Sequence, residues 1–171
     1  MGSPPPTRAE VSAALGLGGN VGDVRAAFGR ALEALGATRG ITILRSSSLY
    51  RTAPWGPVAQ APFLNMAVLV RTTLSAHQLL DVCLSIERQE GRVRVERFGP
   101  RTLDVDILAF GDLVLADERL TLPHPRLLER AFALVPLAEI APDLVIQGIA
   151  VGEAAEGVDR RGVERLGRAK T

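Results

Sequence analysis

Two carboxylates separated by one residue are the sharpest chemical feature of the sequence. Asp104 and Asp106 alternate with the apolar residues Leu103, Val105 and Ile107. Side chains alternate between the two faces of a strand, so a strand here presents both carboxylates on one face, about 7 Å apart. A cation in front of them removes their mutual repulsion, and oxygen ligands of this kind favour Mg²⁺. Taken alone, the spacing also fits two solvated carboxylates on an exposed strand face.

Basic residues are concentrated just before this carboxylate pair. Within 14 residues the chain places five of its 19 arginines, at Arg88, Arg92, Arg94, Arg97 and Arg101. A guanidinium group binds phosphate oxygens through two parallel hydrogen bonds. By itself the run fits a solvated basic loop, but beside the carboxylates it favours binding of a metal-bound polyphosphate such as a nucleoside triphosphate.

A strongly apolar segment carries one amide on its alternating face. Phe63, Asn65, Ala67 and Leu69 share that face of a predicted strand. A buried amide is costly unless it is hydrogen-bonded. Asn65 could therefore bind the edge of a flat heterocycle with Phe63 beside it, or could bond to a neighbouring loop. Further candidates follow from their chemistry: Trp55 and Phe132 for stacking, and His124, held between two prolines, for a phosphate.

Composition excludes several classes of function. Of 20 basic residues only Lys170 is a lysine, which excludes a P-loop and Schiff-base chemistry within the fold. A single cysteine and two histidines exclude a thiolate zinc site and a histidine cluster. The net charge of +1 gives no general attraction to nucleic acid or membranes. We expect no nucleic-acid partner, no membrane association and a cytoplasmic location.

The order of predicted elements indicates one mixed domain. Residues 1–10 are expected to form a flexible leader, and residues 11–171 a single domain. The pattern predicts strands at 11–17, 41–50, 63–71 and 102–110, helices at 24–35 and from the Ser75 capping box to Gly91, a glycine turn at 16–20, a hairpin at 111–115, and short helices near 126–130 and 132–139. Strand, helix, strand, strand, helix, strand is a split βαβ order. It predicts an α+β, ferredoxin-like fold, an antiparallel sheet with helices packed on one face.

One stretch resembles a known enzyme family. Residues 97–106 read R-F-G-P-R-T-L-D-V-D, similar to the R-W-G-P-R-T-L-D-L-D of 6-hydroxymethyl-7,8-dihydropterin pyrophosphokinases of the folate pathway. Other stretches resemble the family in the same order, namely 15–20 with 22–23, 47–52, 63–65, Glu87 with 91–94, 119–126 and 130–132. The resemblance covers about residues 11 to 145.

The resemblance implies transfer of pyrophosphate from ATP to the hydroxymethyl group of 6-hydroxymethyl-7,8-dihydropterin, with release of AMP. Carried over by position, it implies catalytic roles for Arg92, Arg101, Asp104 and Asp106, the two aspartates binding two Mg²⁺ ions. It implies ATP contacts from Glu87, Arg92, Arg94, Arg101, Ile107, Arg119, Thr121 and His124. It implies pterin contacts from Thr52, Ala53, Trp55, Phe63, Asn65, Arg130 and Phe132.

Two departures and two alternatives accompany this interpretation. Phe98 stands where the family usually has tryptophan, and Ala53 where a proline is frequent. One alternative is another two-metal nucleotide-processing enzyme on a ferredoxin-like sheet. The more distant one is an RNA-binding module. Such a module requires aromatic residues at the centre of the sheet, whereas the first predicted strand, 11–17, has none. The sequence gives neither oligomeric state nor protein partners.

Overall fold

One antiparallel sheet organises the chain. The computed structural model describes residues 8–54, 56–57, 59–91 and 102–168. The strands are β1 (Val11–Gly19), β2 (Ile41–Ser46), β3 (Leu49–Thr52), β4 (Phe63–Thr72), β5 (Asp104–Phe110), β6 (Leu115–Ala116), β7 (Thr121–Leu122), β8 (Val145–Ile146), β9 (Ile149–Ala150) and β10 (Val163–Gly167). The helices are α1 (Val24–Ala37), α2 (Ala76–Gln89), α3 (Ala131–Ile140) and α4 (Val151–Gly157), with a 3-10 turn at Leu127–Glu129.

The topology confirms the ferredoxin-like prediction. The main sheet runs β10-β3-β4-β1-β5, with β2 also paired to β4, and every pairing in it is antiparallel. The first two helices begin where the sequence predicts. Asp23 accepts a hydrogen bond from the Ala26 amide at α1, and Ser75 and Gln78 form a capping box at α2. The domain boundaries predicted for residues 1–10 and 11–171 stay predictions.

Helices cover both faces of the sheet. On one face, α1 and α2 bury residues such as Phe28, Leu35 and Leu79 against the strands, as the split βαβ order predicts. Cys83 packs in this core, and burial raises the pKa of its thiol to about 12. The prediction of helices on one face holds for α1 and α2 only, because α3 and α4 pack on the opposite face, over small residues such as Ala14.

The glycines of the first strand differ from their prediction as a turn. The strand β1 continues through Gly18 and Gly19, which pair with Asn65 and Leu64 of β4. A Cβ on Gly18 would lie 2.8 Å from Asn65 Oδ1, and one on Gly19 would lie 2.7 Å from a backbone oxygen of Thr102. These glycines are therefore needed for close packing inside the sheet. The turn comes later, at Gly22, whose φ is +74°.

Two other predictions are corrected. The strand predicted at 41–50 is two strands, because Ser47 and Ser48 leave the ladder to bond the Ala67 amide and the Glu139 carboxylate. The predicted hairpin at 111–115 is wrong: a turn does form at Gly111, but β6 pairs with β7 instead of β5. The sequence pattern predicts no element after residue 139, whereas the chain there contains β10, which extends the main sheet beside β3. No helix in the described ranges combines the length and hydropathy required to span a bilayer.

Candidate functional site

A cavity lies along the edge of the sheet formed by β5. Its volume is about 590 Å³, within the usual range for small-molecule sites. It lies between α2, the β5 edge and the segment from 119 to 125. Six residues predicted for ATP or metal binding line it: Glu87, Asp106, Ile107, Arg119, Thr121 and His124. The structure thus brings together residues that are up to 37 positions apart in the sequence (87 to 124).

Backbone hydrogen bonds fix two of these residues on the β5 edge. Glu87 is buried, and its Oε1 accepts a hydrogen bond from the Val105 amide at 2.9 Å. The His124 amide donates to the Leu108 carbonyl at 2.9 Å. An edge strand has backbone groups without a strand partner. Glu87 and His124 satisfy two of them, so each has a structural role besides the ligand contact predicted for it.

Charged pairs hold the hairpin that carries Arg119 and Thr121. Arg119 Nη2 contacts Asp81 Oδ1 on α2 at 2.5 Å, and both side chains are at least half exposed. The amides of Arg119 and Leu120 donate to Asp117 Oδ1 at 2.8 and 2.9 Å, and these bonds lower the pKa of Asp117. His77 Nε2 lies 2.7 Å from Asp117 Oδ2. The hairpin is therefore tied to α2 at the mouth of the cavity.

The two aspartates lie on one face of β5, as the alternation predicts. Asp104 and Asp106 are half-buried, whereas Val105 and Ile107 between and after them are buried in the core on the other face. Within the described residues no group of three His, Cys, Asp or Glu side chains could hold a metal ion. Mg²⁺ is commonly bound by one or two carboxylates together with substrate phosphates. The pair therefore fits an ion that arrives with a polyphosphate.

A second group of predicted residues lies on the same sheet face, around the end of β3. Asn65 Nδ2 donates to Thr52 Oγ1 at 2.7 Å, and both residues are buried. Asn65 and Asp104 both pair with Gly18, from opposite sides. Two strand spacings separate them, or about 10 Å between their backbones. Because Gly18 has no side chain, nothing from β1 rises between the amide and the carboxylate.

Three more predicted residues come from the chain after β7. The Arg130 guanidinium carbon lies 5.6 Å from the centre of the Phe132 ring, within cation–π range. Burial, together with the nearby charge of Arg130, lowers the pKa of His124 despite the opposing effect of Asp104. His124 thus lies within electrostatic reach of both Asp104 and Arg130, and its imidazole favours the neutral form.

Most of the predicted site residues that the structure describes lie in two groups. Residues expected to contact ATP gather at the β5 cavity, and Thr52, Ala53, Phe63 and Asn65 gather at the end of β3 and start of β4. Asp104 is not among the residues lining the cavity, although Asp106 is. Arg92, Arg94, Arg101 and Trp55 lie outside the described residues, as do Arg97 and Phe98 of the family-like stretch.

Some cavity residues were not predicted. Apolar side chains form part of the wall: Leu80, Leu84, Leu120 and Pro125. They suit a nucleotide base, but helical spacing alone shows only that Leu80 and Leu84 could pack inward. Arg88 also lines the cavity. Arg88 is part of the arginine run, but nothing in the sequence distinguishes it from a solvent-exposed arginine with no binding role.

The chain is similar to several known proteins. A family model described as 7,8-dihydro-6-hydroxymethylpterin-pyrophosphokinase (HPPK) matches residues 14–142. A 2-amino-4-hydroxy-6-hydroxymethyldihydropteridine pyrophosphokinase of Methylorubrum extorquens is 55% identical over 152 residues, covering 89% of this chain and 96% of the relative. A Bacillus subtilis protein of the same name is 41% identical over 144 residues, covering 84% of this chain and 86% of the relative.

Solved structures agree on the fold. The chain superposes on Plasmodium falciparum HPPK-DHPS, crystallised with pteroate, with a TM-score of 0.67 and 15% identity. The match covers 87% of this chain and 43% of that one, so this chain spans less than half of its length. At that identity the likeness supports the fold alone, and the activity follows from the family model and the relatives. The chain therefore belongs to the 7,8-dihydro-6-hydroxymethylpterin-pyrophosphokinase family, and is a pyrophosphokinase of folate biosynthesis.

Proposed function

We propose that the two groups of residues are the two substrate sites of one reaction, with ATP at the β5 cavity and the dihydropterin at the end of β3. The observation that carries this proposal is the gathering of six predicted residues around one 590 Å³ cavity beside the carboxylate pair. The substrates proposed are ATP and 6-hydroxymethyl-7,8-dihydropterin. The oxygen of the pterin hydroxymethyl group attacks the β-phosphorus of ATP and releases its proton to water. The bond between the β-phosphorus and the oxygen that bridges it to the α-phosphorus breaks, and AMP leaves with that oxygen.

We propose that Asp104 and Asp106 hold Mg²⁺ on the triphosphate. A fully ionised nucleoside triphosphate carries about four negative charges, so two Mg²⁺ ions would nearly neutralise it. Support for a two-ion site is the pair of carboxylates about 7 Å apart on one strand face. When bound, the ions would supply charge neutralisation to the triphosphate. Asp104 and Asp106 would hold them on the face of β5 that also carries the proposed pterin site.

The remaining ATP contacts divide by chemistry. Arg119, Thr121 and His124 border the cavity and are proposed to contact the nucleotide, with Ile107 and the leucines of α2 against the base. Arg92 and Arg101 are proposed to bind the triphosphate and the charge that develops during transfer, with Arg94 as a further ATP contact. Phosphoryl transfer needs positioning and charge stabilisation and no covalent nucleophile, which agrees with the side chains present.

The dihydropterin is proposed to bind through Asn65 and Thr52. A carboxamide offers two donors and one acceptor, which matches the alternating donors and acceptors at a pterin edge. The Thr52 hydroxyl accepts from Asn65 Nδ2 and thereby sets which way the amide faces. Phe63, Phe132 and Trp55 are the proposed ring contacts, with Ala53 and Arg130 at the border. A cytoplasmic location, expected from composition, is part of this proposal.

Product analysis tests the proposal. Purified protein with MgCl₂, ATP and the dihydropterin is expected to form AMP and the pterin pyrophosphate in equal amounts. Omitting the dihydropterin, or replacing Mg²⁺ by EDTA, should abolish AMP formation. Formation of ADP in place of AMP, or AMP formation independent of the pterin, would overturn the proposal.

A further inference from the structure

The last strand of the main sheet lies directly beside the proposed pterin site. The family model matches residues 14–142, whereas β10 spans Val163–Gly167. In the sheet, β3 lies between β4, which carries Asn65, and β10. The side of β3 away from Asn65 is thus held by a segment outside the matched range.

Backbone contacts join β10 to the residues proposed to bind the pterin. Val163 pairs with Thr52, and the Ala53 amide donates to the Gly162 carbonyl at 3.1 Å. The turn before β10 is itself anchored, because two guanidinium nitrogens of Arg160 donate to the Ala155 carbonyl on α4 at 2.9 and 2.8 Å. A fixed turn therefore supports Thr52 and Ala53 from the edge of the sheet.

A side-chain network fixes the other end of the same pairing. Arg165 pairs with Tyr50, and its Nη2 donates to Glu139 Oε1 of α3 at 2.8 Å. The Glu139 carboxylate also accepts from the amide and the hydroxyl of Ser48, both at 2.6 Å. Glu139 thus binds Ser48, just before β3, and Arg165, in the middle of β10, and so fixes the two strands relative to each other.

We propose that β10 and the turn before it, through Arg165 and Gly162, form a positioning element for pterin binding. It holds the end of β3 so that the Thr52 hydroxyl meets the Asn65 amide in the orientation that the pterin needs. The inference rests on the proposed function of Thr52 and Asn65. It adds residues that contact neither substrate and act only through β3.

Gly162 offers a graded way to disturb this contact. Its φ is +79°, and a Cβ there would lie 3.1 Å from the Ala53 Cβ, so Ala53 must move by a few tenths of an ångström. Gly148, in the turn between β8 and β9, has the same φ of +79°, and a Cβ there would meet nothing within 4 Å. Gly162→Ala and Gly148→Ala therefore carry the same backbone strain, and only the first presses on Ala53.

The experiment compares the Michaelis constants of these variants. Gly162→Ala is expected to raise KM for the dihydropterin about threefold to tenfold, since small displacements of binding groups are costly. KM for ATP and kcat should stay within about twofold, because the β5 cavity is not touched. Gly148→Ala should match the parent in all three values. Ala53→Gly in the Gly162→Ala background should bring KM back toward the value of Ala53→Gly alone.

A second variant tests the network without altering Gly162. Arg165→Met should raise KM for the dihydropterin in the same direction, whereas Arg161→Met, which removes an exposed pair with Asp159, should not. The inference is overturned if Gly162→Ala and Gly148→Ala give the same KM, or if KM for ATP rises equally. Asn65→Ala measured alongside separates the two proposals: if it leaves KM for the dihydropterin unchanged, the pterin assignment itself has failed.

Discussion

The two halves of the proposed site are built differently. At the end of β3, buried polar groups are already paired with each other, as in the Asn65–Thr52 bond of 2.7 Å. At the β5 edge, charged groups border an open cavity and pair across exposed ion pairs such as Arg119–Asp81. Buried, fixed polar groups discriminate strongly between ligands, because a wrong ligand leaves them unpaired. Exposed charges attract a polyanion with little discrimination and are weakened by salt.

Under the proposed function, this difference would give specificity to the β3 half and charge binding to the β5 half. The β3 half is proposed to select the heterocycle by its hydrogen-bond pattern and shape. The β5 half is proposed to bind the metal-bound triphosphate by electrostatics. The two meet across Gly18, where Asn65 and Asp104 approach from opposite sides.

The largest effect is expected at the carboxylate pair. Asp106→Asn keeps the shape of the side chain but removes its charge, so kcat for AMP release should fall on the order of a thousandfold. Dihydropterin binding without ATP, followed by ligand fluorescence, should stay near the parent value. Asp112→Asn, at an exposed position just beyond β5, is the matched control and should be fully active. Near-normal turnover of Asp106→Asn would contradict the proposal that Asp106 binds Mg²⁺.

The next effect is expected in the β3 half. Asn65→Ala removes the amide and leaves the Thr52 hydroxyl without its donor, so dihydropterin affinity should drop about 10- to 100-fold. Thr52→Val should act in the same direction by freeing the amide, and Thr52→Ser, which keeps the hydroxyl, should act much less. Calorimetric titration with dihydropterin gives these values. Equal affinities for the Val and Ser variants would contradict an orienting role for Thr52.

A stability effect is expected at the network between α3, β3 and β10. Burial disfavours ionisation of Glu139, but hydrogen bonds from Ser48 and Arg165 outweigh it and lower the pKa of Glu139. Glu139→Gln should therefore cost about 1–2 kcal/mol in the free energy of unfolding at pH 7. Urea denaturation measures the difference.

The lowered pKa of Glu139 sets how its contribution to the free energy of unfolding changes with pH. The stabilisation by Glu139 is complete above the pKa of the unfolded chain and is lost as pH falls through the lower pKa of the folded protein. The gap between parent and Glu139→Gln should therefore be constant from about pH 6 to pH 8 and shrink below about pH 4. A gap that widens on acidification would contradict the role given to Glu139.

The smallest effect is expected at the rim of the β5 cavity. Arg119→Ala removes one exposed cation, so KM for ATP should rise about threefold to tenfold at low salt and less at high salt. Asp81→Asn removes the partner of Arg119 and should change KM for ATP by less than about twofold. Steady-state kinetics at two ionic strengths measure both variants. An effect of Arg119→Ala that is independent of salt would indicate a different role.

Local patterns predicted much of the fold and site. Alternation placed Asp104 and Asp106 on one face, the capping box gave the start of α2, and an amide in an apolar strand marked Asn65. The glycines of β1 were predicted to form a turn, but glycine is required there for a steric reason. Asn65 and Thr102 occupy the space that a Cβ would take, and only the structure shows this. The strand β10 was missed because Val163–Gly167 is short and charged, and its partner lies about 110 residues earlier in the chain.

Glu87 shows which information comes from the family resemblance and which comes only from the structure. Glu87 was expected at the ATP site from the family-like stretch, whereas its hydrogen bond to the Val105 amide could not be inferred from sequence. Its carboxylate meets an amide 18 positions away only because α2 packs on the edge of β5. Such contacts depend on tertiary packing, for which local periodicity contains no signal.

The most direct test of the two-half site is a crossed set of binding constants. Dissociation constants for dihydropterin and for a non-hydrolysable ATP analogue with Mg²⁺ are measured for the parent, Asn65→Ala and Arg119→Ala. We predict that Asn65→Ala weakens dihydropterin binding about 10- to 100-fold and leaves the analogue within about twofold, while Arg119→Ala weakens the analogue alone. Equal weakening of both ligands by either variant would contradict a site built from two separate halves.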